Sequence, residues 1–311
     1  YLDQALAEIL APTSQDALTE SHRAHTFLTH GYRGLTYIDR EGQERTPTIR
    51  LVGEVHENDW LVVNQVTVIS GEHERRFDIV LYLNGLPVAV IELKKAGAAR
   101  ADVTSAHAQL QTYVREFPLV FRFTTIVVAS DGITARYGTP FTPLHHLAPW
   151  NVDDDGAVVD TTHDPETTAL DVLLDGVFNP ERFLQLQRGF TAYDEGDDGL
   201  AMRIAKPHQY FAVTKAVAAT VHAVESDGRA GVVWHTQGSG KSMEMELYTA
   251  LVMRHPKLRN PTIVVVTDRT ELDGQLYDGF ARSLLLPEKP RQIVRREELR
   301  NELSGRTSGG I

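Results

Sequence analysis

The chain has no cysteine in 311 residues. That excludes a disulfide framework, a zinc-thiolate centre and a thiol nucleophile, and it points to a reducing, cytoplasmic setting. No apolar run approaches about 18 residues, so no transmembrane helix is expected and no membrane partner. The first residues, Tyr1-Leu2-Asp3-Gln4, show neither a basic stretch nor a signal-like apolar core. They also lack methionine, so the natural N-terminus is expected upstream. Positive charge is scarce too: 31 Lys and Arg stand against 42 Asp and Glu, a net charge of −11. This balance argues against a simple basic nucleic-acid-binding domain, but it leaves room for local patches, because total charge does not set the local potential. Lys94, Lys95 and Arg100 form one such cluster, and Arg291, Arg295, Arg296 and Arg300 another. The hydrophobic content of 42% can build cores for roughly two domains of about 150 residues each.

The most informative stretch runs from Arg76 to Lys95. Two apolar runs flank Asn84-Gly85, a strong signal for a two-residue hairpin. Asp78 lies on the first strand, Glu92 and Lys94 on the second. Side chains alternate along a strand, so Glu92 and Lys94 leave the same face, and the hairpin can set Asp78 beside them. Val88, Ala89, Val90, Ile91 and Leu93 make the second strand apolar on both faces. Charges in a covered strand are costly unless they are paired or bind a metal. Two carboxylates beside a lysine suit a hard divalent cation such as magnesium (Mg2+), a polarised water and a phosphodiester.

Before the hairpin, residues 1–30 read as two helices broken at Pro12, with Ser14 or Asp16 capping the second. Glu20 on that helix could reach the hairpin site but is expected to face solvent, and His22, His25 and His30 to be structural or exposed. Trp60–Ile69 alternates as a strand. A helix from about Asp102 to Glu116 follows, capped by Asp102 or Thr104, with Gln109 and Tyr113 on one face. Thr125–Ala129 reads as a strand, and Asp131-Gly132 as the turn into the next. This order predicts a compact α/β domain over 1–150, then a linker with helices over 151–199, and a second α/β unit over 200–311. Thr191–Gly199 is expected to be a polar loop.

In the second unit, a helix over His208–Val224, a strand over Gly231–Trp234, a Gly-rich loop and a helix to Arg254 surround Gly240-Lys241-Ser242. Strand, Gly-rich loop, Gly-Lys-Ser and helix form the setting of a phosphate-binding loop. Gln237, Gly238, Ser239 and Gly240 are expected to turn several N–H groups toward an anion at the helix N-terminus. Lys241 is expected to reach the outer phosphates of ATP, and Ser242 its magnesium. His235 stands where the full motif has its first glycine. Upstream, Gln209 carries an amide that can pair with N6 and N7 of adenine. Thr262–Thr267 reads as a buried-type strand, but no acidic helicase box follows it and no second lobe is present. The chain reads as a fragment of a larger motor.

Taken together, these motifs resemble the N-terminal part of the restriction and translocation subunit (HsdR) of type I restriction–modification enzymes. The run Phe77-Asp78 through Ile91-Glu92-Leu93-Lys94 is similar to a PD-(D/E)xK nuclease core, with Phe77 in place of the usual proline. Gln109-Leu-Gln-Thr-Tyr113 resembles the Q-x-x-x-Y element of RecB-like nucleases. His208–Ala212 resembles a Q motif, Trp234–Ser242 a superfamily 2 helicase motif I, and Val265–Leu272 a motif Ia. The resemblance implies a PD-(D/E)xK nuclease domain followed by the start of a recA-like superfamily 2 helicase domain. It assigns Asp78 and Glu92 to the metal, Lys94 to the attacking water, and Gln109 and Tyr113 to orienting the site. It also implies ATP-driven movement along duplex DNA, cleavage of that DNA, and partnership with methylation (HsdM) and specificity (HsdS) subunits. A stand-alone defence or repair nuclease–helicase and a non-catalytic DNA-docking module are the alternatives. A type III restriction subunit would place its nuclease after the motor, not before it.

Overall fold

The structure is a computed structural model describing residues 1–95, 102–161, 167–268, 270–306 and 309–311. Arg100 and Arg269 lie outside the described residues. The chain divides into two compact units, Tyr1–Thr191 with Met202–Ile204, and Ala192–Ala201 with Ala205–Ile311. No helix among the described residues is long and apolar enough to cross a membrane.

Helices α1 (Leu2–Leu10) and α2 (Ala17–His30) open the first unit. Asp16 caps α2 by accepting the Thr19 N–H at 2.8 Å, which satisfies one of the free donors at a helix start. His25 is buried, and that burial lowers its pKa to about 3. Glu20 corrects its expectation. It does not face solvent: it is 1% exposed and accepts from Thr13 N, Thr13 Oγ1, Ser14 N and Arg23 Nη2 at 2.7–2.9 Å. The loop after α1 folds back over the α2 N-terminus and supplies three of these donors.

A short ribbon follows, β1 (Tyr37–Ile38) with β2 (Glu44–Arg45). The main sheet contains β3 (Trp60–Ser70), β4 (His73–Leu83), β5 (Leu86–Leu93), β6 (Ile126–Ser130) and β7 (Ala135–Gly138), in that spatial order. Between β4 and β5, Asn84 and Gly85 have φ of 51° and 80°, the left-handed pair that a two-residue hairpin turn of type I′ requires. β5 and β6 are parallel, so the chain must cross over between them. It does so through α3 (Val103–Glu116) and α4 (Pro118–Phe121). Their apolar side chains Leu110, Tyr113, Phe117 and Phe121 pack with Phe77, Val80, Val90 and Val127 of the sheet in one core. Burying a side chain of this size contributes about 1.5–3 kcal/mol, and this core anchors α3 over the strands that carry the acidic residues.

Helices α5 (Ala169–Val177) and α6 (Pro180–Gly189) correct the expected boundary. Both belong to the first unit and not to a linker. They bury Leu173, Val177, Phe183 and Leu186, and α5 packs against β7. The acidic run at 153–155 suggested a solvated spacer, yet Arg182 reaches back to Asp154 at 2.8 Å. The expected loop at Thr191–Gly199 is instead a hairpin of β8 (Thr191–Gly196) and β9 (Gly199–Ile204). Its polar Asp197 and Asp198 form only the turn.

The second unit contains α7 (Pro207–Val224), α8 (Lys241–Arg254), α9 (Thr270–Arg282) and α10 (Arg296–Leu303). α7 packs against α8. The two strands expected here, 231–234 and 262–267, form no ladder, apart from an isolated bridge at Thr262. Val232 is 95% exposed and Val266 84%. Strand character needs a hydrogen-bonding neighbour along its length as well as β-forming residues; among the described residues 231–234 joins no ladder, and 262–267 meets only Gly310, whose carbonyl accepts the Ile263 N–H at 2.7 Å.

Candidate active site and nucleotide loop

In the first unit, the β4–β5 ladder ends at the pair Ile79 and Ile91. Continuing that register sets Asp78 opposite Glu92. At this point the Asp78 side chain takes over from the backbone, and its Oδ2 accepts the Leu93 N–H at 2.8 Å. Its Oδ1 accepts from Gln65 Nε2 at 3.1 Å. Glu92 is 3% exposed. One of its oxygens, Oε1, takes Lys94 Nζ at 2.6 Å. The other, Oε2, is buried and has no well-formed hydrogen bond.

Electrostatics follow from this arrangement. Burial holds the Glu92 carboxyl above the usual carboxylate range; the Lys94 ammonium opposes the shift and the Asp78 charge adds to it. The Tyr113 hydroxyl is pushed well above the ordinary tyrosine value by burial, then by the charges of Glu92 and Asp78. Tyr113 therefore stays a neutral donor. Its ring stacks on Phe77 at 4.4 Å, its hydroxyl points to the Arg76 carbonyl at 3.4 Å, and the Gln109 amide lies beside that hydroxyl. Thus Asp78, Glu92, Lys94, Gln109 and Tyr113 come together, from three elements joined by one core. The residues fit a hard divalent cation. A buried carboxylate oxygen that no well-formed hydrogen bond satisfies, beside a second carboxylate, is the donor set such an ion takes, and without an ion it is a costly one.

Gln65 was not legible as a site residue. It is a polar residue in mid-strand, and its contact with Asp78 depends on cross-strand register.

In the second unit, Gly240 has φ of 90° and opens α8. A side chain there would need a left-handed backbone, which glycine adopts freely, and a Cβ would also displace the Gln209 amide, 2.5 Å away. Lys241 Nζ folds back on the loop carbonyls of Thr236 at 2.8 Å and His235 at 3.1 Å. Gln237, Gly238 and Ser242 are exposed and Ser239 half-buried. Gln209 is buried, with its oxygen on the Lys206 N–H at 2.8 Å and its amide against the Ser239 and Gly240 carbonyls at 3.4 and 3.3 Å. In this conformation Gln209 braces the loop backbone. His235, at the position of the missing glycine, pairs with Glu244 at 2.7 Å, and His208 Nε2 meets the Ser239 carbonyl at 2.9 Å. The ligating atoms of His208, His235 and Glu244 lie within 4.8 Å of one another. Hydrogen bonds already satisfy this group, and Glu244 is a residue that sequence reasoning missed.

Comparison with known proteins bears on both units. Residues 2–146 match the family model described as the type I restriction enzyme R protein N terminus. Residues 208–311 match that of the SWI2/SNF2 ATPase. The chain is 37% identical over 304 residues to the type I restriction enzyme HindI endonuclease subunit of Haemophilus influenzae, covering 95% of this chain and 28% of that protein. It is 31% identical over 294 residues to the putative type I restriction enzyme MjaIXP endonuclease subunit of Methanocaldococcus jannaschii, covering 87% and 27%. A type I restriction enzyme endonuclease subunit of Staphylococcus saprophyticus is 26% identical over 231 residues, covering 72% and 22%. The chain thus spans about a quarter of the length of these relatives. The chain belongs to the type I restriction enzyme R protein family, matching its N-terminal domain and the SWI2/SNF2-type ATPase region.

Proposed function

We propose that the first unit cuts duplex DNA by metal-dependent phosphodiester hydrolysis, and that the second binds ATP as part of a DNA-translocating motor. The observation that carries the nuclease reading is the buried Glu92 Oε2, with no well-formed hydrogen bond, beside Asp78, and Lys94 on the other Glu92 oxygen. Asp78 and Glu92 would hold a divalent cation such as Mg2+, which when bound supplies charge stabilisation and a more acidic water. Lys94 keeps one Glu92 oxygen fixed and brings a cationic donor to the site for the attacking water or the phosphate. Tyr113, neutral and stacked on Phe77, holds the wall of the site without adding charge, and Gln109 orients its hydroxyl. In the second unit Gly238 and Gly240 shape the loop, Lys241 exchanges loop carbonyls for phosphate oxygens, and Ser242 would complete the nucleotide's magnesium shell. Gln209 links the loop to α7 on the adenine side.

DNA sequence recognition belongs to other chains in this reading, the methylation and specificity subunits of the assembled enzyme. The test uses the full-length subunit in that complex. Asp78→Ala is expected to abolish cleavage and to leave ATP hydrolysis running. Lys241→Ala is expected to abolish both, because cutting follows translocation. Normal cleavage by Asp78→Ala would overturn the nuclease assignment. Failure to co-purify with methylation and specificity subunits would favour a stand-alone nuclease–helicase.

A further inference from the structure

Gln65 lies in the middle of the eleven-residue strand β3, yet its φ is 53°. Among the described residues the other non-glycine positive φ values fall at Asn84, Arg259 and Asn260, and none of these lies inside a strand. Left-handed backbone in a strand is disfavoured for a residue with a Cβ, and such outliers point to a constraint imposed by function or by packing.

The register shows where the constraint acts. Asn64 pairs with Ile79 and Val66 with Phe77, so Gln65 stands opposite Asp78, and the ladder skips that pair. No residue is inserted on either strand. The pleat also changes hand here. Phe77 and Val80 belong to the same core cluster, although strict alternation sends residues three apart to opposite faces. The ladder therefore opens on both sides of Asp78, toward β3 at Gln65 and toward β5 beyond Ile79. Each opening is closed by the Asp78 carboxylate, with Gln65 Nε2 on Oδ1 at 3.1 Å and Leu93 N–H on Oδ2 at 2.8 Å.

We infer that Gln65 is a positioning residue for Asp78: its amide fixes the carboxylate opposite Glu92 in the rotation that a divalent cation needs. This rests on the nuclease reading above. An amide suits the task because it donates without adding charge, whereas a lysine in its place would compete with the cation.

The test is Mg2+ binding, read without DNA or nucleotide as the rise in Tm of the full-length subunit with Mg2+ concentration, and beside it DNA cleavage by the subunit assembled with its methylation and specificity partners over the same Mg2+ range. Gln65→Gly removes the amide and relieves the backbone, since glycine adopts positive φ freely, so the fold is kept. Gln65→Ala removes the amide alone. Both are expected to raise the Mg2+ concentration at the midpoint, of the Tm shift and of cleavage alike, by roughly tenfold, the worth of one hydrogen bond to the carboxylate. A residue serving only the fold would leave that midpoint unchanged in Gln65→Gly, and an unchanged midpoint overturns the inference. Asp78→Ala is the control. If it cuts as wild type does, the nuclease reading has failed and the inference falls with it, a result distinct from an unchanged Gln65→Gly midpoint with an inactive Asp78→Ala.

Discussion

Replacing Glu92 by glutamine separates what the site does for catalysis from what it costs the fold. The side chain keeps its shape but loses its charge. In the metal-free protein, Oε2 is buried with no well-formed hydrogen bond and only the Tyr113 hydroxyl near the carboxylate, a situation that costs at most about 1–3 kcal/mol. A neutral amide loses much less on burial. Against this, the substitution weakens the contact with Lys94. That side chain is 26% exposed, so its ammonium can turn to water and the loss is under about 1 kcal/mol. The net expectation for Glu92→Gln is a metal-free protein stabilised by about 1 kcal/mol, or roughly 2–4 °C in Tm for a unit of this size. The pH dependence has a definite sign. The Glu92 pKa is raised above 4.5, so its favourable contribution is complete below the ordinary value and is lost as pH rises through the raised one. Variant and wild type should therefore coincide below pH 4.5 and separate toward neutrality. Added Mg2+ should raise the Tm of wild type by mass action and leave the variant almost unmoved. Cleavage should fall at least about a hundredfold, since a catalytic cation contributes several kcal/mol at 1.36 kcal/mol per factor of ten. Thermal unfolding with and without Mg2+, across pH, reads all but the last. A variant less stable than wild type without metal, yet still stabilised by Mg2+, would refute the reasoning.

Two further substitutions probe the scaffold. Glu20 would be raised by burial, but Arg23, Thr13 and Ser14 hold its pKa down to about 2 from 4.5. A lowered carboxyl stabilises the fold above its ordinary value and loses that effect as pH falls through the lowered one. Glu20→Ala should thus cost roughly 3 kcal/mol at neutral pH, with the difference from wild type closing between pH 4.5 and about 2 in acid denaturation. Phe77 is fully buried and touches Tyr113, Phe117 and Phe121. Phe77→Ala should cost about 3–5 kcal/mol in urea unfolding and should also loosen the Tyr113 wall, lowering cleavage in assays kept below the new midpoint.

The nuclease-like hairpin was readable because three local rules agree at one place. Asn84-Gly85 sets the turn, the turn sets the register, and period-two alternation then sets the faces of Asp78, Glu92 and Lys94. The Gly-rich loop was readable because glycine is demanded where the backbone turns left-handed, as Gly238 and Gly240 do before α8. Other expectations failed where the sequence carries only propensity. Residues 231–234 and 262–267 have strand composition, but pairing is a property of neighbours, not of the segment. The helices at 169–189 followed an acidic stretch and read as a linker, although their apolar faces are claimed by the first unit.

By itself, then, the sequence determined which groups come together: two carboxylates and a lysine on adjacent strands, and a Gly-rich loop at a helix start. Tertiary structure alone decided what those groups experience. It buried Glu20 beneath a returning loop, left one Glu92 oxygen without a well-formed hydrogen bond, turned Gln209 onto the loop backbone, and bent the strand at Gln65 so that its amide holds Asp78. Each is a matter of solvent exclusion or of a single dihedral angle. Neither is written in residue type, because both depend on which distant segments the fold brings alongside.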